Sequence, residues 1–256
     1  MDPTSWKYWL PLPPEYSTHA AQVDYLIKFV HVLMAILFVF WGCFLVYCLI
    51  RFRQRPGHKA MYEPVKAKIA KAAEIGVIVV EAFMLIFLSM PVWASYKHDL
   101  PRPGEGVEIK VVAEQFAWNF HYAGPDGVFG KTDPKFIDNF GNSLGLDPGD
   151  PRGKDDIVTL NDCHIPINKP ILMDISSKDV IHSFWINVMR VKQDAIPGMK
   201  VPIHFEATHT GQFDISCAQL CGLAHYRMRG MLTVDTPADY AKWMTEQEAQ
   251  RQGGNQ

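Results

Sequence analysis

What the chain lacks narrows its class first. It has five cysteines in 256 residues, and an odd number argues against a complete disulfide framework. Its net charge is −2, so no basic face advertises nucleic acid, and none is expected as a partner. No Cys-x2-Cys-His occurs, which removes covalent attachment of a c-type haem. No segment repeats. The Asp-rich stretch 124–156 contains no D-x-[DN]-x-[DN]-G register with a closing Glu, so it is not an EF-hand. The first apolar run has no basic segment before it and no small-residue cleavage site after it. That argues against a removable signal peptide.

What is present divides the chain in two. Residues 1–97 hold two long apolar runs, Phe29–Ile50 and Glu74–Tyr96. Twenty-two residues at helical rise span about 33 Å, enough to cross the hydrocarbon core. The loop between the runs carries Arg51, Arg53, Arg55, Lys59, Lys66, Lys68 and Lys71 against Glu63 alone. Such a loop belongs on the cytoplasmic side. Both termini and everything from residue 98 are then expected outside, in an oxidising space. Glu74 sits at the cytoplasmic mouth of the second run. Glu81 lies one heptad deeper on much the same face, where a carboxylate is costly and should meet another protein or water.

Residues 98–256 read as short strands punctuated by Pro, Gly, Asn and Asp. They include "PILMDISS", "IHSFWI", "KVPIHFEAT", "GQFDISC" and "MRGMLTV". This pattern predicts a β-sandwich or barrel, closed by a short helix near "PADYAKWMTEQEAQ". The stretch 124–156, with seven aspartates against three lysines and one arginine, is expected as a solvated insertion; a docking surface for a partner is the sharper alternative.

The densest chemistry is "CAQLCGLAHYRM", Cys217 to Met228. A Cys217–Cys221 disulfide would leave His225 and Met228 without a role. A tetrahedral zinc would use both cysteines, His225 and a second histidine, and would leave Met228 idle. Thiolate, imidazole and thioether together are the donor set of copper electron-transfer sites. Two thiolates bridging two coppers, each capped by one histidine, would use every donor. The second histidine is open on spacing alone among His98, His121, His164, His182, His204 and His209. Cys43 and Cys48 in the first run, and Cys163, are expected as packing residues.

Three segments, "SSKDVIHSFWI", "QDAIPG" and "GQFDISCAQLCGLAHYRM", together with the two spans, make the chain resemble subunit II of the haem–copper cytochrome c oxidases. The resemblance covers nearly the whole chain. It implies two N-terminal transmembrane helices followed by an all-β cupredoxin-like domain in a bacterial plasma membrane, with the copper domain in the periplasm. It implies a dinuclear copper A centre held by the side chains of His182, Cys217, Cys221, His225 and Met228 and by the backbone carbonyl of Gln219. Electrons would come from a cytochrome c, or a haem-bearing subunit of a larger respiratory assembly, and pass to haem in the catalytic subunit I. Oxygen reduction would occur on that partner, with no catalytic residue here. No C-terminal cytochrome c domain is expected.

Two departures from the family pattern matter. The usual Glu of the copper loop is Gln219, a poorer ligand for a hard cation, so the magnesium found at the subunit border in relatives is not expected. Asp194 is the candidate supporting acid. The segment "EQFAW" places Phe116 where relatives carry the tryptophan implicated in accepting electrons, leaving Trp118 and Tyr122 as nearby aromatic candidates. Glu74 corresponds to the family's acid at the mouth of a proton path. Two other functions compete: a copper-free subunit II of quinol-oxidase type, opposed by the intact ligand set, and a metal-handling protein acting alone, opposed by Glu81.

Overall fold

The computed structural model describes residues 12–60, 62, 68–102, 104–138 and 141–254. Lys66 and Glu63 of the basic loop lie outside the described residues. The chain divides into a helical unit, Gln22–Ser95, and an outer unit built from Tyr96–Gln256 together with the N-terminal segment up to Ala21.

In the helical unit, α1 (Ala20–Arg51) has no charged residue between His31 and Arg51. The second helix starts as α2 (Lys68–Phe83), widens into a π-turn over Met84–Ser89 and continues as α3 (Met90–Lys97). Pro91 gives a physical reason for the widening: it has no N–H, and its ring clashes with the carbonyl four residues earlier. The Met90 N–H accordingly donates to the Leu85 carbonyl, five residues back. The two helices are long and apolar enough to cross a membrane, and the protein buries none of the apolar core of either. Both runs fit membrane spans.

In the outer unit, one five-stranded sheet has the order β3-β2-β1-β5-β8 and the other β4-β10-β9-β6-β7. The first contains β1 (Val107–Glu114), β2 (Ala117–Tyr122), β3 (Ile157–Leu160), β5 (Pro170–Ser177) and β8 (Val201–Glu206). The second contains β4 (Asp162–Pro166), β6 (His182–Ile186), β7 (Val191–Ala195), β9 (Gly211–Cys217) and β10 (Arg229–Asp235). Period-2 alternation sets the inward faces. Ile171, Met173 and Ile175 of β5 are buried, as are Trp118, Phe120 and Tyr122 of β2 and Phe184 and Ile186 of β6. The expected sandwich is present.

Three expectations need revision. The N-terminal segment does not group with the spans: Ser17 bridges Ala207, and the N–H groups of Tyr16 and Thr18 donate to the carbonyls of Val188 and Glu206. The closing helix, α4 (Pro237–Gly254), starts where expected but runs 18 residues, longer than the short helix expected near 237–250, and its Trp243 ring stacks on His164 at 4.4 Å.

The stretch 124–156 is solvated over about half of its described residues, but it is packed down rather than a free excursion. It folds over the outward side of β2, where Asn119 and His121 are buried at 1% exposure. The Ser143 hydroxyl donates to Asn119 at 2.8 Å, and Phe129 packs edge-on against His121. His121 Nε2 lies 2.5 Å from the Asp156 carboxyl, which also accepts from the Gly130 N–H at 2.9 Å. Aspartates here are structural because each can satisfy several backbone donors in a segment without a sheet partner. Asp150 alone accepts from the N–H groups of Lys131 and Arg152 and from the Arg152 guanidinium.

Burial pushes the His121 pKa below its ordinary 6.5, outweighing the hydrogen bond and charge of Asp156 that raise it. A basic group with a depressed folded pKa contributes stability above its unfolded pKa and loses it as pH falls through the folded one. Amide protection factors within 124–156, corrected for the intrinsic exchange rate, should therefore fall as pH drops below about 6.5, before the sheets open. Protection that stays flat until global unfolding would contradict this. Asp156→Ala, which strands buried His121, should cost about 3 kcal/mol in denaturant unfolding.

Candidate metal centre

The two sheets bring separated segments to one end of the sandwich. β6 begins with His182, and β9 ends with Cys217, whose backbone pairs with Phe184. The Ala218 N–H donates to the Ser183 carbonyl at 2.9 Å, fixing the start of the following loop against β6. That loop carries Gln219, Cys221 and Gly222, makes a 3-10 turn over His225–Arg227, and returns Met228 to the head of β10. Gly222 adopts φ +138°, and a Cβ there would stand 2.7 Å from Gln115 Nε2 and 3.1 Å from the Phe116 ring. Only glycine lets the loop lie this close to the β1–β2 hairpin.

The donor atoms converge. The sulfurs of Cys217 and Cys221 are 3.9 Å apart and both thiols are free, so the disulfide alternative is not what the fold builds. His182 Nδ1 lies 3.1 Å from Met228 Sδ and 4.0 Å from Cys217 Sγ. His225 Nδ1 lies 3.6 Å from Cys221 Sγ. The Gln219 carbonyl oxygen lies 3.1 Å from Cys217 Sγ. His182, Cys221 and Met228 are buried, whereas Cys217 and His225 are half-buried and the Gln219 side chain is exposed. The donor atoms of His182, Cys217 and Cys221 all lie within 4.8 Å of one another. With metal–thiolate bonds of about 2.3 Å, both sulfurs can reach a common ion.

The electrostatics are already those of a cation site. Burial works against ionising Cys217, but His182 and the backbone N–H groups outweigh it and bring the thiol down to about 6. Burial, and then the neighbouring Cys217, push Cys221 up to about 12. Without metal, the pair thus holds one negative charge near neutral pH. Burial opposes protonation of His182, yet Cys217 and Asp179 hold its pKa above the ordinary value.

Asp179 is the residue that sequence reasoning missed. Its carboxyl lies 2.9 Å from His182 Nε2 and accepts from the N–H groups of Gln115 at 2.7 Å and Val180 at 2.6 Å. This leaves His182 Nδ1 facing the sulfurs. Asp179 precedes His182 by three residues in "KDVIH", a spacing that could have flagged it. Asp194, the acid chosen instead, is exposed on β7 opposite Ser183. Among the aromatic candidates, Phe116 is half-buried against the cysteine loop. Trp118 is fully buried beneath it, with its ring 6.1 Å from that of His182. Tyr122 is buried elsewhere: its hydroxyl meets the backbone of His164, and its ring packs on Trp243. It lies four strand residues, about 13 Å, beyond Trp118. Glu74 and Glu81 are exposed on α2.

Residues 107–234, half of the chain, match the family described as cytochrome c oxidase subunit II, periplasmic domain. The chain belongs to the cytochrome c oxidase subunit II family. It is 33% identical over 242 residues to the alternative cytochrome c oxidase subunit 2 of Bradyrhizobium diazoefficiens, covering 94% of this chain and 84% of that relative. It is 26% identical over 245 residues to cytochrome c oxidase subunit 2 of Cereibacter sphaeroides, covering 91% and 78%. A solved structure, the periplasmic domain of subunit II of cytochrome oxidase of Bradyrhizobium japonicum, is similar at 26% identity and a TM-score of 0.43, over 59% of this chain and 98% of that one. As a subunit II, the chain is part of a haem–copper oxidase complex. The family implies copper, and the group of His182, Cys217 and Cys221 fits that chemistry.

Because Asp179 holds the imidazole whose Nδ1 faces the sulfurs, Asp179→Ala should weaken copper retention by about 10- to 100-fold, measured by competition with a chelator. Asp194→Ala should leave retention unchanged. Equal effects at the two positions would refute the distinction.

Proposed function

We propose that this subunit accepts electrons for the oxidase. His182, Cys217, Cys221, His225 and Met228 through side chains, and Gln219 through its carbonyl, would hold a dinuclear copper A centre. The observation that carries this reading is the pair of sulfurs 3.9 Å apart, with His182 against one and His225 against the other. Four donors around one zinc would not use Met228 as well. When bound, copper supplies one-electron redox chemistry. The protein's part is to fix the donors, through Asp179 and Gln115, so that little rearranges when charge changes. Its buried Trp118 and Phe184 rings keep water from the His182 side.

The donor would be a cytochrome c, or a haem-bearing subunit of a respiratory assembly, docking over Phe116. That ring is the half-buried aromatic touching the copper loop, whereas Trp118 has no exposed surface. Electrons then pass to haem in the catalytic subunit. The basic loop lies on the cytoplasmic side, with both termini and the copper domain on the periplasmic side of a bacterial plasma membrane. Glu74 stands at the mouth of a proton path. The exposed neutral Gln219 amide gives a magnesium ion at the subunit border no carboxylate.

The whole chain, loaded in detergent, should bind about two coppers and show paramagnetic splitting by two equivalent copper nuclei. One zinc per chain, or no copper uptake, would overturn the assignment. Met228→Leu should keep copper while shifting potential and spectrum, and His182→Asn should disrupt the centre much more. An unchanged spectrum in the His182 variant would remove it from the ligand set. Phe116→Ala should slow reduction by cytochrome c by about tenfold without altering the copper spectrum.

A further inference from the structure

Between Ile75 and Val92 the second span has two polar side chains, Glu81 and Ser89. Glu81 is 13 residues from Lys68 and 16 from Lys97, the limits of the helical span, or about 20 Å and 24 Å along the axis. Counted from Glu74 at the cytoplasmic mouth, it lies seven residues, or about 10 Å, inside the apolar run. No Lys, Arg, His, Asp or Glu of α1 lies between His31 and Arg51, so α1 brings no cation to that depth. Glu81 and Ser89 are both exposed on this chain. A carboxyl group at that position is tolerated only against another protein or a water-filled path.

The helix geometry lines these groups up. Glu74 and Glu81 are both on α2, two turns or about 10.5 Å apart, and within about 20° of the same face. Ser89 is eight residues beyond Glu81, which on an unbroken α-helix would turn it about 80° away. The π-turn over Met84–Ser89 intervenes. Its hydrogen bonds close one residue later than those of an α-helix, so it takes up one extra residue. Position i+8 across it then falls where i+7 would otherwise lie. Ser89 returns to the face of the two carboxyls, and every polar side chain of the span's interior lies in one lane. An apolar helix has no packing reason of its own to align them.

We propose that Glu81 and Ser89 continue, on this subunit, a proton path that begins at Glu74. The lane faces the neighbouring subunit of the oxidase, with water between the side chains. This rests on the reading of Glu74 as the mouth of a proton path. A proton from the inner aqueous phase protonates the Glu74 carboxylate. It then moves through intervening water to the Glu81 carboxylate, and Glu74 is left ionised again. Glu81 next releases the proton towards Ser89, whose hydroxyl passes its own proton to a base of the neighbouring subunit while accepting the incoming one. Each group returns to its starting state and no electron moves.

The test uses the assembled oxidase in lipid vesicles, with haem and copper content confirming assembly. Proton uptake and oxygen consumption are followed against pH for E74Q, E81Q, E81D and S89A. E81Q should lower both by about tenfold or more, with substantial recovery in E81D. S89A should give a smaller loss that shifts the pH profile. E81Q at wild-type turnover and uptake would overturn the lane, and if E74Q were impaired the path would end at Glu74. If E74Q were unaffected while E81Q was impaired, Glu74 would lose its place and protons would enter elsewhere. Should E81Q fail to assemble, the wild-type complex decides. Dicyclohexylcarbodiimide, which attacks protonated carboxyls in apolar surroundings, should label Glu81 increasingly as pH falls, and no labelling at any pH would overturn the proposal.

Discussion

A single carboxyl group ties together the segments that bring His182, Cys217 and Cys221 to one place. Asp179 meets His182 on β6, the hairpin N–H of Gln115 and the N–H of Val180 in its own loop. Gln115 then reaches the Cys221 carbonyl at 2.5 Å. The hairpin, the turn before β6 and the cysteine loop are thus locked to one another through groups that carry no metal themselves. Donor atoms must be held to within a fraction of an ångström for their spacing to mean anything. Here the hydrogen bonds do that, and the sandwich beneath supplies rigid strands from which the loops project.

The close approach of the cysteine loop to the hairpin depends on what is missing at Gly222. A side chain there would displace Gln115 and Phe116 together, loosening both the carbonyl anchor and the aromatic cover. The same hairpin therefore positions a ligand through Asp179 and presents the ring nearest the loop to solvent. Nearby charges are matched: Lys178 pairs with Glu114, and Arg229 with Asp214.

Much of this was legible in the sequence because it is local. The two apolar runs, the alternating strands and the cysteine–histidine–methionine cluster are patterns within a few residues of one another. The parts that escaped depend on long-range contacts. Asp179 could have been found by its three-residue spacing from His182, but Asp194 has a comparable claim on sequence, and only pairing in β6–β7 turns it outward. The 124–156 stretch looks like loop by composition. It folds because His121, a polar residue on the outward face of β2, needs a buried partner and finds Asp156 35 positions away. The N-terminal segment joins the outer unit by pairing with Ala207, a contact that no periodicity announces. Trp118 is aromatic like Phe116, yet strand alternation sends it into the core.

What the fold leaves unsatisfied is as informative as what it satisfies. Leu220, Leu223 and Tyr226 are 76%, 95% and 82% exposed around Cys221 and His225, and both spans show their apolar sides outward. The spans meet lipid at no cost, but in water a protein that acted alone would bear the cost of Leu220, Leu223 and Tyr226 without return. For a subunit of a membrane complex, those surfaces are contacts waiting for neighbours. The polar line through Glu74, Glu81 and Ser89 follows the same economy of placement. Pro91 already forbids a regular turn, so the π-turn that relieves it realigns a hydroxyl with two carboxyls without any further break in the helix. A helix that merely anchored the outer unit would gain nothing from that alignment, because lipid tails reward uniform apolar surface and penalise every carboxyl. On the proposed path, that face meets a polar neighbour.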